Sequence, residues 1–403
     1  MRTHDVIIVG AGPAGSALAY LLSTSGVDVL LLDKASFPRD KTCGDALSPR
    51  ALHVLRNLGI LSPIRASGYE IKRVSFFSPN GNQITISIPP YEKLPDFSLV
   101  IPRYIFDDLV RLHAVSGGAN FLPQTNVVDV LRDDDQYIGV RALTQNGPCD
   151  FGARVTVLAT GASISLLERS HLLTSPPNFC RAARTYYEGV SGLTDIIEFH
   201  YDSVPLPGYG WIFPISPTAA NIGAGYYVPV GVPLLRNSPR QVLDTFITNP
   251  RIAHMLANAR MTSPVKGFPI RFDFPTVRTA FPGLILVGES CGLVNPLTGE
   301  GIDYALESAE VAAEVLTETI RRGKTSYYMM RKYANALRDR FLPTFKSLIR
   351  VRDLYIQSWM MNRYVSAAKH NDELALLLVN IGLGNIDPLK AFSPKKLAQI
   401  LIG

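Results

Sequence analysis

The glycines at 10, 12 and 15 of Gly10-Ala11-Gly12-Pro13-Ala14-Gly15, followed by an acid at Asp33, carry the clearest chemistry in this sequence. A turn of this spacing brings backbone up to a pyrophosphate, and an acid at this distance accepts hydrogen bonds from a ribose. Gly10 makes the tight turn, Gly12 admits the phosphates and Gly15 lets a helix close on a strand. A second group is Tyr209-Gly210-Trp211-Ile212-Phe213-Pro214. Its aromatic residues alternate, so an extended backbone puts all of them on one face. A third is the thiol of Cys43 next to Gly44.

The elements that must hold these groups are legible. The apolar run Val6–Val9 precedes the Gly-rich turn, and apolar residues at Leu18, Leu21 and Leu22 follow at helical spacing. Val29–Leu32 then runs into Asp33. This is a dinucleotide-binding βαβ unit, with phosphate expected at the helix N-terminus. Ser48-Pro49 predicts an N-cap and first helical residue, with the helix running through Leu52 and Leu55 and ending at Gly59. Residues 69–89 alternate as strands do, and Val100–Leu109 leads into a helix with Leu112 and His113. Val127–Leu131, Tyr137–Leu143 and Val155–Leu158 read as strands, the last opening onto Thr160-Gly161. Residues 165–268 are rich in aromatics and prolines with little helical periodicity, which predicts a β-rich region. Leu284–Val287 predicts a strand that runs into Gly288-Glu289-Ser290-Cys291-Gly292 and then Asn295–Gly301. A long helix follows, with Ala305, Ala309, Ala312 and Leu316 on one side. From about residue 326 the chain reads helical.

A chain of 403 residues that is 47% hydrophobic and 18% charged is a folded protein of two or three domains. The balance of 40 basic against 34 acidic residues gives +6. Those charges are dispersed, which fits an anionic ligand or an anionic membrane surface and gives no basis for a nucleic-acid partner. Cys43, Cys149, Cys180 and Cys291 form no CxxC pair and no metal-ligand spacing. A reducing, cytoplasmic compartment and no metal are therefore expected. The N-terminal apolar run is used as a strand, not as a signal peptide. No apolar run reaches the ~18–20 residues of a membrane span, so any membrane contact is expected to be peripheral.

The blocks GAGPAG at 10–15 with Asp33, CGDALSPRAL at 43–52, PGYGWIFP at 207–214 and VGESCGLVNPLTGEGIDYAL at 287–306 together resemble one family. It is the geranylgeranyl reductase family of FAD-dependent oxidoreductases, within the p-hydroxybenzoate hydroxylase-like superfamily. The resemblance implies an α/β fold, with a Rossmann-type FAD-binding domain interleaved with a β-sheet substrate domain and a helical C-terminal region. The implied FAD-binding segments are 1–68, 99–164 and 269–325, and the substrate segments 69–98 and 165–268. The implied helical region is 326–403. It places Gly10, Gly12, Pro13, Ala14 and Gly15 at the FAD pyrophosphate and Asp33 with Lys34 at the adenosine ribose. Cys43, Gly44, Arg103, Gly161, Gly288 and Glu289 lie along the cofactor. Pro296, Thr298, Gly299, Gly301 and Ile302 belong to the loop and helix start that turn backbone N–H groups to the flavin pyrimidine. Gly288-Glu289 replaces the family's Gly-Asp, and Thr160-Gly161 replaces its Asp-Gly. With one dinucleotide fingerprint, the chain is expected to draw electrons from an external donor, NAD(P)H or ferredoxin.

Tyr209, Trp211 and Phe213 have two readings. They pack a sheet core, or they wall a cavity over the flavin and hold an apolar chain by area burial. On the second reading Tyr209, Trp211 and Cys43 are the candidate catalytic residues and Tyr209, Trp211 and Phe213 the substrate contacts. Cys43 is either an inert small hydrophobe or a contact of the isoalloxazine. His53, His113, His254 and Cys291 read as structural. The expected activity is reduction of carbon–carbon double bonds in a prenyl or comparably apolar small molecule. The rivals are an FAD-dependent monooxygenase or halogenase acting on an apolar or aromatic metabolite, and a prenyl-binding carrier of Rab escort type. Halogenases carry a similar block with a second Trp, where this chain has Tyr209 and Phe213. The intact phosphate-binding glycines speak against a carrier. Arg331, Lys332, Arg338, Arg340, Lys346, Arg350 and Arg352 mix with Phe341, Phe345, Leu348, Tyr355 and Trp359. That mix is a solvated helix face or one that lies on an anionic bilayer.

Overall fold

The computed structural model describes residues 3–173, 176–227, 238–323 and 327–402. The N-terminal apolar run is strand Thr3–Val9, which pairs in parallel with Val29–Leu32 on one side and Gly147–Leu158 on the other. Leu284–Leu286 and Asn120–Leu122 extend the parallel set outward. Parallel strands covered on both faces read as unbroken apolar runs, and every residue of Val29–Leu32 is buried. Helix Pro13–Thr24 packs against helices Arg103–Ser116 and Ile302–Arg321. The close approach at the turn is steric. A Cβ on Gly10, whose φ is +111°, would lie 2.3 Å from the Ala159 carbonyl oxygen, and one on Gly15 would lie 1.9 Å from that of Gly10.

The aromatic segment is strand Gly208–Pro214, in the middle of a second eight-stranded sheet. It runs antiparallel to Ile196–His200 and Ala219–Tyr227. Arg73–Phe77 and Gln83–Ser87, from far earlier in the chain, complete this sheet through Ile196–His200. The chain thus leaves the first sheet, contributes to the second and returns, the interleaved α/β arrangement that the resemblance implies.

Local expectations hold where a cap or turn forces them. The Ser48 hydroxyl accepts the Ala51 N–H at 3.3 Å and caps helix Pro49–Asn57, and Gly59 follows at φ +76°. Gly147–Leu158 begins well before the predicted Val155, because its first half forms a hairpin with Gln136–Thr144. Residues 165–268 are β-rich, but they also hold helices Pro239–Ile247 and Pro250–Met255. Both open on a side-chain cap followed by proline, and Ser238 with Gln241 makes a full capping box.

The C-terminal region is helical at Tyr327–Tyr355, Ser358–Ala368, Asp372–Gly382 and Pro394–Ile402. The expected boundary at 325/326 falls outside the described residues. Phe341 and Phe345 pack edge-on against Phe274 and Tyr304, and Leu348 is buried as well. These apolar residues of the basic tail therefore serve the core, while Leu354 and Trp359 stay exposed at 65% and 56%. The later helices cover the second sheet: Met360, Tyr364, Val379 and Leu383 share one apolar cluster with Phe76, Trp211 and Phe213. Among the described residues no helix is long and apolar enough to cross a membrane.

Candidate active site

A cleft of about 410 Å³ opens where Val9, Leu32, Ala159 and Val287 end or follow the parallel strands. Gly10, Gly12, Pro13 and Ala14 form one wall. The helix that starts there has no side-chain cap and no acid in its first turn, so its free N–H groups and dipole favour an anion. Asp33 fastens this turn. Its carboxyl accepts the Ala11 N–H at 2.8 Å and the Ala35 N–H at 2.9 Å while still lining the cleft. Lys34, Arg39 and Arg103 add positive charge to the wall. Arg103 is buried and held by both Asp107 oxygens at 2.6 and 2.8 Å, and Arg39 reaches the same carboxylate at 3.0 Å.

Gly161, Glu289, Gly299, Gly301 and Ile302 close the far side. Glu289 accepts the Arg271 N–H at 3.1 Å, so the longer acid ties its turn to the neighbouring strand. Three expected cofactor residues line neither cavity. Gly15 is a packing position, as its clash distance shows. Gly288, at φ +64°, nests its turn against Ala14, and Pro296 is buried in the loop. The Asn295 side chain accepts the N–H groups of Leu297 and Thr298 at 2.9 and 3.1 Å and fixes that loop ahead of Ile302. A turn whose Gly10 and Gly15 leave no room for a Cβ, an uncapped helix start and three cations fit the pyrophosphate of a dinucleotide.

A second cavity of about 120 Å³ adjoins the cleft, and the two share Cys43, Gly44, Trp211, Gly299 and Gly301. Tyr209, Trp211 and Phe213 wall it, with successive rings 6.0 and 6.1 Å apart and Phe199 against the outer two. The Tyr209 hydroxyl donates to the Thr298 carbonyl, which joins the aromatic strand to the loop. The Trp211 indole donates to Asn221 at 3.0 Å. Gly223 makes room for the indole, since a Cβ there would meet it at 2.1 Å. Leu383, from the C-terminal region in which no motif was legible, closes part of the cavity. Burial pushes the Cys43 thiol up, partly offset by the Arg103 guanidinium, so it sits in both walls as a neutral thiol. His113 is structural in its contacts: it stacks on Tyr20 at 3.9 Å and its Nε2–H donates to the Leu58 carbonyl at 2.8 Å.

Sequence reasoning passed over Asp45. It is fully buried at φ +69°, and its Oδ2 accepts the Tyr186 hydroxyl at 2.5 Å and the Asn221 amide at 2.8 Å. Asn221 also donates to the Cys43 carbonyl at 2.8 Å. Burial pushes Asp45 up to about 6, against the pull of those hydrogen bonds. The only local signal was an acid directly after Gly44 in an otherwise apolar block. A second acidic group surrounds Arg50, which pairs with Asp303 at 3.3 Å and Glu307 at 2.7 Å and donates to the Gly384 carbonyl at 3.2 Å. Burial raises both Glu300 and Asp303; the Asp303 charge adds to the rise of Glu300, and Glu307 to that of Asp303, against the pull of Arg50.

Comparison with known proteins decides the family. Residues 3–163 match a model described as an FAD binding domain. Digeranylgeranylglycerophospholipid reductase 1 of Methanopyrus kandleri is 30% identical over 87% of this chain and 90% of its own length. The chain belongs to the geranylgeranyl reductase family of FAD-dependent oxidoreductases. A menaquinone reductase of Mycolicibacterium smegmatis is 34% identical over 78% of this chain and 76% of its own. Among solved structures, a geranylgeranyl bacteriochlorophyll reductase-like protein from Thermoplasma acidophilum superimposes with TM-score 0.82 at 23% identity, covering 92% of each chain. A myxobacterial chondrochloren halogenase follows the same fold with TM-score 0.72 at 22% identity, over 87% of this chain and 82% of its own. The cofactor of this family member is therefore FAD.

Proposed function

We propose that the protein reduces carbon–carbon double bonds of a prenyl or comparably apolar substrate bound in the aromatic cavity. The observation that carries this reading is the shared wall: Cys43, Gly44 and Trp211 face both the cofactor cleft and a cavity lined by Tyr209, Phe199 and Phe213. Rings of this kind hold an alkene by buried area, with little directional demand. The geranylgeranyl lipid named for the Methanopyrus relative supports the same substrate class. We assign segments 1–68, 99–164 and 269–325 to cofactor binding and 69–98 with 165–268 to the substrate.

When bound and reduced, FAD supplies the hydride. The chain orients and shields. Gly10, Gly12 and the first-turn N–H groups of Pro13–Thr24 take the pyrophosphate, and Asp33 with Lys34 the ribose. The N-terminus of Ile302–Arg321 favours negative charge on its neighbour. Tyr209 and Trp211 spend their polar hydrogens on Thr298 and Asn221, so their faces, not their donors, meet the substrate. The reductant comes from outside, as an NAD(P)H or a ferredoxin. Anaerobic mixing of the reduced holoprotein with geranylgeranyl alcohols, lipids and quinones tests the reading. Reoxidation of the flavin with a product two hydrogens heavier is expected. Silence across the panel, with rapid oxygen uptake in its place, would favour oxygenation.

A further inference from the structure

We infer that Asp45 is the proton donor of the apolar cavity, passing a proton from its carboxyl group to one alkene carbon of the bound substrate. This rests on the double-bond reduction proposed above, because hydride addition to one carbon leaves the other in need of a proton.

Asp45 and Glu300 are the two acids in the cavity wall. Glu300 accepts the Ile302 N–H at 3.0 Å and lies beside Asp303, as part of a helix start. Asp45 is held differently. Both of its donors, Tyr186 and Asn221, fall on Oδ2, while Oδ1 is buried with no partner in the protein. An oxygen that accepts two hydrogen bonds is a poor place for a proton, so the neutral acid carries its proton on Oδ1. A buried polar atom without a partner is destabilising. The chain also holds Asp45 in the left-handed region at φ +69°, a further cost that aspartate tolerates better than most residues. Two such costs on one side chain in a cavity wall point to use by something that enters the cavity.

The charges around it suit an acid that cycles near neutrality. Arg184 and Arg103 pull the carboxyl down, and Cys43 faces it as a neutral thiol. Glu300 lies in the same wall and burial keeps it protonated. An apolar occupant strips remaining water from the cavity and shifts Asp45 further toward its neutral form. In the step, the alkene π bond breaks and two C–H bonds form. One takes the hydride that the reduced cofactor supplies, drawn from the external donor, and the other takes the Oδ1 proton. Asp45 is left as a carboxylate. It regains its proton from solvent before the next turnover, while Tyr186 and Asn221 keep their hydrogen bonds to Oδ2.

Asp45→Asn is the informative variant, because asparagine accepts the same left-handed backbone and offers an amide of the same shape. The expected result is unchanged FAD content and unchanged reduction by dithionite, with alkene-driven reoxidation slowed about 10²–10⁴-fold. Infrared titration of the substrate-free holoprotein gives a second readout. In the wild-type-minus-D45N difference spectrum, where the Glu300 and Asp303 bands cancel, a protonated-carboxyl band that fades as the pH rises through about 6 is expected. D45N reoxidised at the wild-type rate, or a difference spectrum without that band, overturns the proposal. Wild-type protein that no prenyl substrate reoxidises removes the reduction reading and this proposal with it. An active wild type with an equally active D45N removes this proposal alone.

Discussion

The indole N–H of Trp211 donates to the side-chain oxygen of Asn221 at 3.0 Å, and the amide of the same Asn221 holds Asp45 and the Cys43 carbonyl. The tryptophan of the aromatic strand thus orients an asparagine that fastens the loop beside the cofactor cleft. Trp211→Phe keeps most of the ring area and removes the donor. It leaves a buried amide oxygen unpaired, which costs about 1–3 kcal/mol in chemical denaturation. Flavin reoxidation by substrate should slow while FAD stays bound. A variant with wild-type stability and rate would show the hydrogen bond to be incidental.

Two glycines of the same turn separate folding from cofactor binding. A Cβ at Gly12 meets nothing nearer than the Arg39 side chain at 3.7 Å, so flavin-free Gly12→Ala should melt at the temperature of flavin-free wild type. Its methyl group occupies the approach that a pyrophosphate needs, and the purified protein should be pale. Gly10→Ala forces a left-handed alanine against the Ala159 carbonyl. It should lose stability by at least about 1–2 kcal/mol from the backbone conformation alone, as well as flavin. Absorbance ratios and thermal melts of the two variants check this contrast.

A pH dependence of stability sits at His200, which lines neither cavity. This buried ring lies between Glu198 at 3.0 Å and Asp202 at 3.3 Å, stacks on Phe77, and has Arg251 on the far side of Glu198. Burial alone would lower it, but the bonds to Asp202 and Glu198 outweigh that and raise it above 6.5. A raised histidine contributes stability that is complete below its unfolded value of about 6.5 and is lost as the pH rises through the folded value. The urea midpoint should therefore fall on going from pH 6 to pH 9, and His200→Gln should flatten that decline. Glu198 and Asp202 are lowered, so their contribution is lost at the acid end instead.

Any contact of the C-terminal helices with lipid has to use exposed apolar side chains, among them Leu354 and Trp359. Phe341, Phe345 and Leu348 are spent on the core, and Leu354 and Trp359 remain exposed near Arg350 and Arg363. If the protein collects its substrate from a bilayer, sedimentation with anionic phospholipid vesicles should depend on them. Leu354→Glu with Trp359→Glu should then abolish pelleting and leave melting behaviour alone. Equal pelleting by the double variant would point to another face.

Features set by near neighbours were legible in the sequence. The turn of Gly10, Gly12 and Gly15 and the acid at Asp33 could be placed because strand, turn, helix and strand follow within one βαβ unit. The aromatic strand was legible through its alternation. What escaped notice depends on distance along the chain. Asp45 looks like an ordinary acid until Tyr186 and Asn221 arrive from strands 141 and 176 residues away. Gly223 is one glycine among many until the Trp211 ring is laid over it. The helix after Ser238-Pro239 was missed for another reason, because its cap was present and the aromatic content of the region masked it. Leu383 carried no signal, since a leucine in an amphipathic helix does not say which cavity it closes.

Arg50 grips Asp303 and Glu307 on the helix behind the cofactor loop and, with the same guanidinium, the Gly384 carbonyl beside Leu383. The two chambers therefore share one fastening, through which a ligand in one would bear on a ligand in the other. Linkage makes this reciprocal: the factor by which FAD tightens an apolar ligand is the factor by which that ligand tightens FAD. A protein working in a substrate-rich environment would thus hold on to its flavin, and one starved of substrate would be the first to shed it.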